Sequence, residues 1–404
     1  MRIAMVSEHA NPLATLGGSD AGGQNVYVAA LSRVLGRLGH DVVVYTRRDS
    51  RHAPEQVDLA PGVLLHHVPA GPARHVPRDD LLPFMPDFGR WLARRWRAGQ
   101  PDVVHSHFWM SGVAALLGVR DTGVPLVHTF HALGVVKRRH QGGRDTSPPG
   151  RIRIERAVAH DVDRIIALSS DEAAELARMG IPRTRLRVIP AGVDTDRFQP
   201  DGPARGRGGL RRMLTAGRLV ERKGYDAAIA ALRRIPGTEL VIAAGPAADR
   251  LDGDPEYRRL RKIADRQGVA DRVRFLGSVE HDGMPELIRS ADVVTCAPWY
   301  EPFGIVPLEA MACGVPVVAS AVGGFLDTVV DGATGRHVQP RRPDRLASAV
   351  RELLDDPFRR DGYGVAGLDR VRSRYTWDRI AGDVLGVYRD VAGRPGMDAG
   401  GVAP

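Results

Sequence analysis

The chain has 404 residues but only two cysteines, and it contains no long apolar run. Cys296 and Cys313 are too few for a disulfide framework, so we expect reduced thiols in a cytoplasmic protein. No stretch approaches the roughly 20 apolar residues of a membrane-spanning helix. The first residues are too acidic for a signal peptide. The sequence therefore argues against a membrane-spanning protein and against a disulfide-stabilised secreted domain.

Lysine is also scarce, although the chain is basic, with a formal net charge of +9. Only Lys137, Lys223 and Lys262 among its 57 lysines and arginines are lysines. In a chain that otherwise uses arginine, a lysine marks a place that requires a compact point charge. The basic residues are scattered and aromatic residues make up only 5% of the chain, so we expect no nucleic-acid partner and instead a cleft for small anions. Peripheral contact with a membrane and the oligomeric state stay open.

Length and the alternation of apolar strands with helices predict two α/β domains, each with a parallel sheet. The run 201–212 is rich in glycine, arginine and proline, which is typical of a linker. We therefore predict an N-terminal domain over residues 1–200, a C-terminal domain over 201–375 and a disordered tail over 392–404. The strand-end loops of both domains would face a shared cleft.

A glycine-rich loop, 17–23, follows the first predicted strand and precedes the first helix. Gly22 and Gly23 would let the backbone approach a ligand where the helix begins, and free amide groups there favour phosphate. The spacing is not Gly-x-Gly-x-x-Gly, and the second strand ends in Thr46-Arg47-Arg48 without an acid for a ribose. Both features argue against a dinucleotide site. A plain flexible connector is the alternative interpretation of this loop.

Two loops of the second half carry charged residues directly after predicted strands. Glu301 and Glu309 bracket a short apolar loop around Gly304, at the strand edge where open α/β sheets bind ligands. Arg218 and Lys223 share another loop and suit a diphosphate whose charge grows as a bond breaks. Alternatively, Arg218 and Lys223 belong to a solvated charged loop without a ligand. Glu309 is alternatively explained by the ordinary preference for acidic residues where a helix begins.

Metal binding is not expected. Four histidines lie near two strand ends without a cysteine or carboxylate at metal-ligand spacing, so we predict hydrogen-bonding roles in the site for one or two of the four and a core position for another. They are His105, His107, His131 and, as the core residue, His128. Asp194-Thr195-Asp196 imitates a metal–nucleotide motif, but it precedes the linker and lies away from the cleft loops. The polar segment 134–149 is predicted to be a substrate-facing loop.

Several motifs together resemble the retaining GT-B glycosyltransferases of family 4. They are the stretch from Glu301 to Glu309 (Glu-Pro-Phe-Gly-Ile-Val-Pro-Leu-Glu), Gly217-Arg218-Leu219 with Lys223-Gly224, and the segment 19–28. The segments 105–112 and 128–134 are similar to the branch that contains sucrose-phosphate synthase and the mycothiol-pathway inositol-phosphate N-acetylglucosaminyltransferase. The resemblance runs in order from about residue 1 to 390.

This resemblance implies two Rossmann-like domains facing across a cleft, with a C-terminal helix, 376–391, that packs back on the first domain. It implies a hexosyltransferase that moves a glucose- or N-acetylglucosamine-type sugar from a nucleoside diphosphate, UDP, to a hydroxyl of a small polyol, sugar or sugar phosphate, with no metal or other cofactor. Arg218 and Lys223 would neutralise the leaving diphosphate, and His131 and Glu301 would contact the donor sugar. The remaining donor-binding positions would be Gly22, Gly23, Phe303, Gly304, Ile305, Val306 and Glu309.

The acceptor positions implied by the resemblance are Asn25, Arg78, Phe108, Lys137 and Arg151. In the inositol-phosphate branch a lysine, a tyrosine, a threonine and an arginine contact the acceptor phosphate, and Phe108 and Ala132 replace the two hydroxyl-bearing residues here. Two neutral hydrogen bonds worth about 1 kcal/mol each are thereby lost. An anionic acceptor stays open, but inositol phosphate itself is not expected. The alternative functions are a GT-B epimerase or phosphorylase, and a non-catalytic sugar-nucleotide-binding partner.

Overall fold

The computed structural model describes residues 1–13 and 22–393. Positions 17–21 of the glycine-rich loop and 394–404 of the predicted tail therefore lie outside the described residues. Within the described ranges, no helix combines the length and the apolar composition needed to cross a membrane.

The N-terminal half forms an eight-stranded sheet in the order β3-β4-β2-β1-β5-β6-β7-β8, parallel except for the β3–β4 pair. Its strands are β1 (Arg2–Val6), β2 (Asp41–Arg47), β3 (Gln56–Ala60), β4 (Val63–Val68), β5 (Val103–His107), β6 (Leu126–Thr129), β7 (Arg164–Ala167) and β8 (Leu186–Val188). Its helices are α1 (Gly23–Arg37), α2 (Met85–Ala98), α3 (Trp109–Val119), α4 (Gly134–Gln141), α5 (Arg151–Asp161) and α6 (Ser170–Arg178).

The C-terminal half forms a parallel six-stranded sheet in the order β11-β10-β9-β12-β13-β14. Its strands are β9 (Arg211–Gly217), β10 (Thr238–Ala244), β11 (Val273–Phe275), β12 (Val293–Cys296), β13 (Val317–Ser320) and β14 (Gly335–Val338). The helices of this half are α7 (Tyr225–Leu232), α8 (Pro255–Gln267), α9 (Met284–Arg289), α10 (Val306–Ala312), α11 (Phe325–Thr328), α12 (Pro343–Asp355), α13 (Pro357–Arg374) and α14 (Trp377–Ala392).

The predicted class of fold is confirmed, including the return of the last helix to the first half. The ring of Trp377, where α14 begins, packs edge-on against Tyr27 of α1 at a centroid distance of 5.5 Å. Further along α14, the hydroxyl of Tyr388 lies 2.7 Å from Nδ1 of His105 on β5. The core is mainly aliphatic on both faces of each sheet, which agrees with the apolar strands of parallel sheets.

Two details of the secondary structure differ from the prediction. The segment 134–149 is not wholly a loop, because its first eight residues form helix α4. Val135 and Val136 pack against the core of the first half, and Lys137 forms an ion pair with Asp145 at 3.0 Å. These contacts stabilise a helix that the polar composition does not suggest. The short edge strands β3, β8 and β14 were not predicted, because none of them has a continuous buried apolar run.

Candidate active site

A cavity of about 750 Å³ lies between the two sheets, at the carboxyl ends of their strands. Residues that follow β1, β5 and β6 form one wall, and residues that follow β9 and β12 form the other. All predicted site residues except Lys137 and Arg151 line this cavity. They are Gly22, Gly23, Asn25, Arg78, Phe108, His131, Arg218, Lys223, Glu301, Phe303, Gly304, Ile305, Val306 and Glu309.

Glu301 and Lys223 are direct partners in the wall that the second sheet contributes. The ammonium of Lys223 lies 2.6 Å from Oε2 of Glu301, and the guanidinium of Arg222 lies 3.5 Å from the same oxygen. Burial alone would raise the pKa of Glu301, but these two cations hold it at about 2. The approach of the two loops requires Gly224, because a Cβ there would lie 1.9 Å from the carbonyl oxygen of Ala297. Glu301 is therefore an ionised carboxylate at neutral pH.

Arg218 adds a third cation to this wall. Burial and the neighbouring Arg222 lower its pKa, yet a guanidinium stays charged under all ordinary conditions. Among the residues that the structure describes, no carboxylate lies within ion-pair distance of Arg218. Three cations thus face one carboxylate, Glu301, and this part of the cavity has an excess of positive charge that suits an anionic ligand.

Glu309 lies in the first turn of α10 and is buried without a close cationic partner in the described chain. Burial raises the pKa of this carboxyl to about 7, against a lowering influence from Arg197. Gly304 has φ +80°, and a Cβ there would lie 2.2 Å from Cε1 of Phe325, so only glycine permits this loop geometry. The loop between the two acids is consequently held close to both of them.

The start of α1 forms the facing wall. Gly22 and Gly23 leave the backbone open there, and a Cβ on Gly23 would meet only Cδ1 of Ile305, at 3.7 Å. The side chain of Asn25 is engaged at the same turn, since its Oδ1 accepts a hydrogen bond from the amide of Gly22 and its Nδ2 donates to the carbonyl of Asn11. The helix therefore presents backbone amides to the cavity, and Asn25 helps to shape the turn.

His131 reaches the cavity from the end of β6, with a positive φ of +61°. Its Nε2 lies 3.1 Å from Nδ1 of His107. Burial lowers the pKa of His131 to about 3, so the ring is neutral. His128 is buried as predicted, and its Nδ1 lies 2.7 Å from the hydroxyl of Ser106. Nowhere in residues 1–13 and 22–393 do three His, Cys, Asp or Glu side chains form a group that could hold a metal ion.

The predicted acceptor residues separate into two groups. Phe108 lines the cavity with φ +79°, and the Arg78 guanidinium lies 5.7 Å from the centre of its ring. Arg151 lies behind that ring, at 5.2 Å, and bonds Glu155 at 2.7 Å and the carbonyl of Ala132 at 2.7 Å. Arg151 is thus used to support the wall.

Lys137 lies outside the cavity as well. Its ammonium is 3.0 Å from Asp145 and 2.9 Å from the hydroxyl of Ser147. Asp79, next to Arg78, lies 3.9 Å away. Each predicted acceptor cation therefore has a carboxylate neighbour in this structure.

Three residues near the cavity were missed by sequence reasoning. Arg222 is adjacent to Lys223, so the charged run 221–223 carried a signal for it. His9 comes three residues after the end of β1, and a polar residue beyond a strand end was again a usable signal. Tyr300 connects the two halves: its hydroxyl accepts a hydrogen bond from Gln141 of α4 at 2.7 Å. No sequence pattern indicated that contact.

Comparison with known proteins agrees with this geometry. Residues 21–197 match the model of Glycosyltransferase Family 4, and residues 205–367 match that of Glycosyl transferases group 1. D-inositol 3-phosphate glycosyltransferase of Acidothermus cellulolyticus is 40% identical over 96% of this chain and 90% of its own length. The chain belongs to family 4 of the glycosyltransferases.

Other members and fold neighbours support the assignment. The D-inositol 3-phosphate glycosyltransferase of Mycobacterium bovis is 35% identical to this family 4 chain over 97% of it and 84% of the relative. Sucrose-phosphate synthase from Thermosynechococcus elongatus superposes with a TM-score of 0.88 at 32% identity, covering 96% of this chain and 98% of that one. Anabaena HepE, solved with UDP and glucose, shares the fold with a TM-score of 0.73 at 18% identity, covering 96% and 99%.

Proposed function

We propose that this family 4 glycosyltransferase moves a hexosyl group, of glucose or N-acetylglucosamine type, from a UDP-sugar to a hydroxyl of a small acceptor. The acceptor class is a polyol, a sugar or a sugar phosphate, and the anomeric configuration is retained. The observation that carries the proposal is the convergence of Arg218, Lys223, Glu309 and the start of α1 on one cavity. Cations for a diphosphate, a carboxylate for hydroxyl groups and open backbone amides are the groups that a nucleotide sugar requires.

The cations act on the leaving group. As the acceptor oxygen bonds to the anomeric carbon, the bond from that carbon to the diphosphate oxygen breaks and the diphosphate leaves with the electron pair. Arg218 and Lys223 neutralise the charge that develops on it, a contribution that grows in the transition state. A charge acts more strongly when it is partly shielded from water, and Arg218 and Lys223 are both partly buried.

Glu301 is a poor candidate for a covalent nucleophile. Its Oε2 is engaged by Lys223 at 2.6 Å and by Arg222 at 3.5 Å, which reduces the reactivity of the carboxylate. We assign it to holding the two cations in place and to accepting a hydrogen bond from the donor sugar. Retention then follows a front-face route in which the leaving phosphate helps to deprotonate the acceptor.

The reaction as proposed requires no metal ion, because the three cations supply the positive charge that a metal would provide. We also propose a cytoplasmic location, since Cys296 and Cys313 are both buried and unpaired with each other. Free thiols are typical of reducing compartments.

The test is incubation of the full chain with several UDP-sugars and a panel of polyols, sugars and sugar phosphates, with products identified by mass spectrometry. A Lys223→Met variant should lose transfer, whereas Lys262→Met, which changes the exposed lysine of α8, should keep it. A chelator should have no effect.

Other outcomes would identify the alternatives. Conversion of the UDP-sugar into an epimer in the absence of any acceptor would indicate an epimerase, and transfer of the sugar only to inorganic phosphate would indicate a phosphorylase. Tight donor binding with no product across the panel would indicate a non-catalytic binding protein. Each of these results would reject the proposed transferase.

A further inference from the structure

A carboxylate and an imidazole are paired immediately after β1, at the edge of the cavity. Nδ1 of His9 lies 2.7 Å from Oε1 of Glu8. The Glu8 side chain is completely buried, and only 8% of the His9 side chain is exposed. Since a carboxylate accepts hydrogen bonds, Nδ1 of His9 is the donor, and in the tautomer that this bond selects Nε2 carries the lone pair.

Ser111, in the first turn of α3, holds the other side of the carboxylate. Its hydroxyl donates to Oε2 of Glu8, and its Oγ accepts a hydrogen bond from the Glu8 amide at 2.9 Å. Both oxygens of Glu8 are therefore occupied, one by Ser111 and one by His9. A buried ion held by two opposed donors has little freedom to turn, so the orientation of the His9 ring is fixed.

His9 itself lines the cavity, as does Phe108, a predicted acceptor residue. Its ring packs edge-on against Phe108 at a centroid distance of 4.9 Å. Phe108 is held in a left-handed backbone conformation that non-glycine residues seldom adopt. In the described chain, Nε2 of His9 has no hydrogen-bond partner. The ring therefore presents an unused hydrogen-bond acceptor at the wall that Phe108 forms.

We propose that Glu8 is a positioning residue that fixes His9 so that Nε2 accepts a hydrogen bond from a hydroxyl of the acceptor other than the attacking one, whose proton goes to the leaving phosphate. The inference rests on the proposed transfer reaction and adds to it a buried carboxylate that touches neither substrate. Fixing the ring aligns the acceptor oxygen with the anomeric carbon, and alignment of this kind contributes strongly to the rate. The carboxylate also strengthens the hydrogen bond at Nε2, because it stabilises positive charge on the imidazole.

Steady-state kinetics of Glu8→Gln, His9→Gln and the double variant test the proposal. We expect Glu8→Gln to lower kcat/KM for the acceptor by about tenfold or more, as loss of an orienting partner does elsewhere, with an unchanged Kd for the UDP-sugar. In the His9→Gln background, Glu8→Gln should have no additional effect, because Glu8 acts through His9. A purely structural carboxylate would lower activity in both backgrounds.

The matched control is Glu55→Gln, which changes an exposed carboxylate that lies 3.7 Å from another histidine, His66, away from the cavity. It should leave all constants unchanged. If Glu8→Gln does not fold, Ser111→Ala decides, with a several-fold loss of acceptor kcat/KM expected. Wild-type constants in either decisive variant, or additive losses in the double variant, would overturn the role of Glu8. Absence of transfer by the wild-type chain would instead reject the proposed function.

Discussion

The affinity for the donor should depend on pH through Glu309. In the empty cavity the pKa of this buried carboxyl is raised to about 7, so about one-tenth of the protein carries the ionised form at pH 6 and about nine-tenths at pH 8. Ribose hydroxyls donate hydrogen bonds to a carboxylate, so we expect the donor to bind only the protein in which Glu309 is ionised. The association constant should consequently rise about tenfold from pH 6 to pH 8, which is about 1.4 kcal/mol.

Isothermal titration calorimetry with a UDP-sugar and no acceptor measures this change, because the diphosphate of a sugar nucleotide does not titrate in that range. Glu309→Gln should bind more weakly at pH 8 and should show no slope. The control is Glu172→Gln: burial raises the pKa of Glu172 to about 7 as well, but this side chain does not line the cavity. A flat wild-type curve, or a slope that persists in Glu309→Gln, would refute the assignment of Glu309 to the ribose.

The empty protein should show the opposite trend. The native carboxyl of Glu309 binds its proton more tightly than the unfolded one, so its contribution to stability is present below the unfolded pKa and declines as pH rises to about 7. For a shift from 4.5 to about 7 the decline is about 3 kcal/mol. The difference in unfolding free energy between wild type and Glu309→Gln, followed by urea denaturation from pH 5 to pH 8, isolates this contribution.

Three further substitutions probe the cavity. Gly23→Ala should fold with unchanged or slightly raised stability, because its Cβ would make only an ordinary 3.7 Å contact with Ile305. The Kd for the donor should nevertheless rise at least about tenfold if the diphosphate approaches this backbone, and an unchanged Kd would contradict that approach. Lys223→Met leaves Glu301 without its closest cation and should lower the free energy of unfolding, measured by heat or urea, by about 3 kcal/mol. Adding Glu301→Gln should restore part of this loss, and no restoration would argue against the ion pair of Lys223 with Glu301. Tyr300→Phe removes the hydroxyl that Gln141 of α4 contacts and should lower the free energy of unfolding by about 1 kcal/mol. Urea denaturation of wild type and variant measures this difference, and no change would show that this contact between the halves is not retained in solution.

Most of the fold was predictable because the strands of parallel sheets have a distinctive apolar sequence pattern. Strands such as β10 and β12 are buried on both faces and therefore read as continuous apolar runs. The apolar sequence pattern is weaker in edge strand β3 and in helix α4. α4 carries mainly polar residues and is stabilised by ion pairs to distant positions, for example Arg139 with Glu175 at 2.6 Å. Local composition does not contain that information.

That the predicted donor-binding residues line one cavity was predictable for a related reason. These residues follow strand ends, and strand ends of parallel sheets meet at one edge. What could not be predicted was the pairing within it. Glu301 was expected to contact mainly the donor sugar, yet its nearest partner is Lys223 of a different loop. The tight turn at Gly224 brings the two loops together, and the distance between them depends on tertiary packing.

The same limit explains why charge counts describe the predicted acceptor residues poorly. Arg78, Lys137 and Arg151 suggest a strongly cationic subsite when they are read from the sequence. In the structure each has a carboxylate neighbour: Asp79 at 3.3 Å, Asp145 at 3.0 Å and Glu155 at 2.7 Å respectively. An anionic acceptor group must compete with these carboxylates, and a neutral hydroxyl compound need not. We therefore propose that recognition of the acceptor depends more on the shape and hydrogen bonding of the wall at Phe108 than on net charge. For the donor we propose the opposite, because one carboxylate does not neutralise the three cations of the other wall.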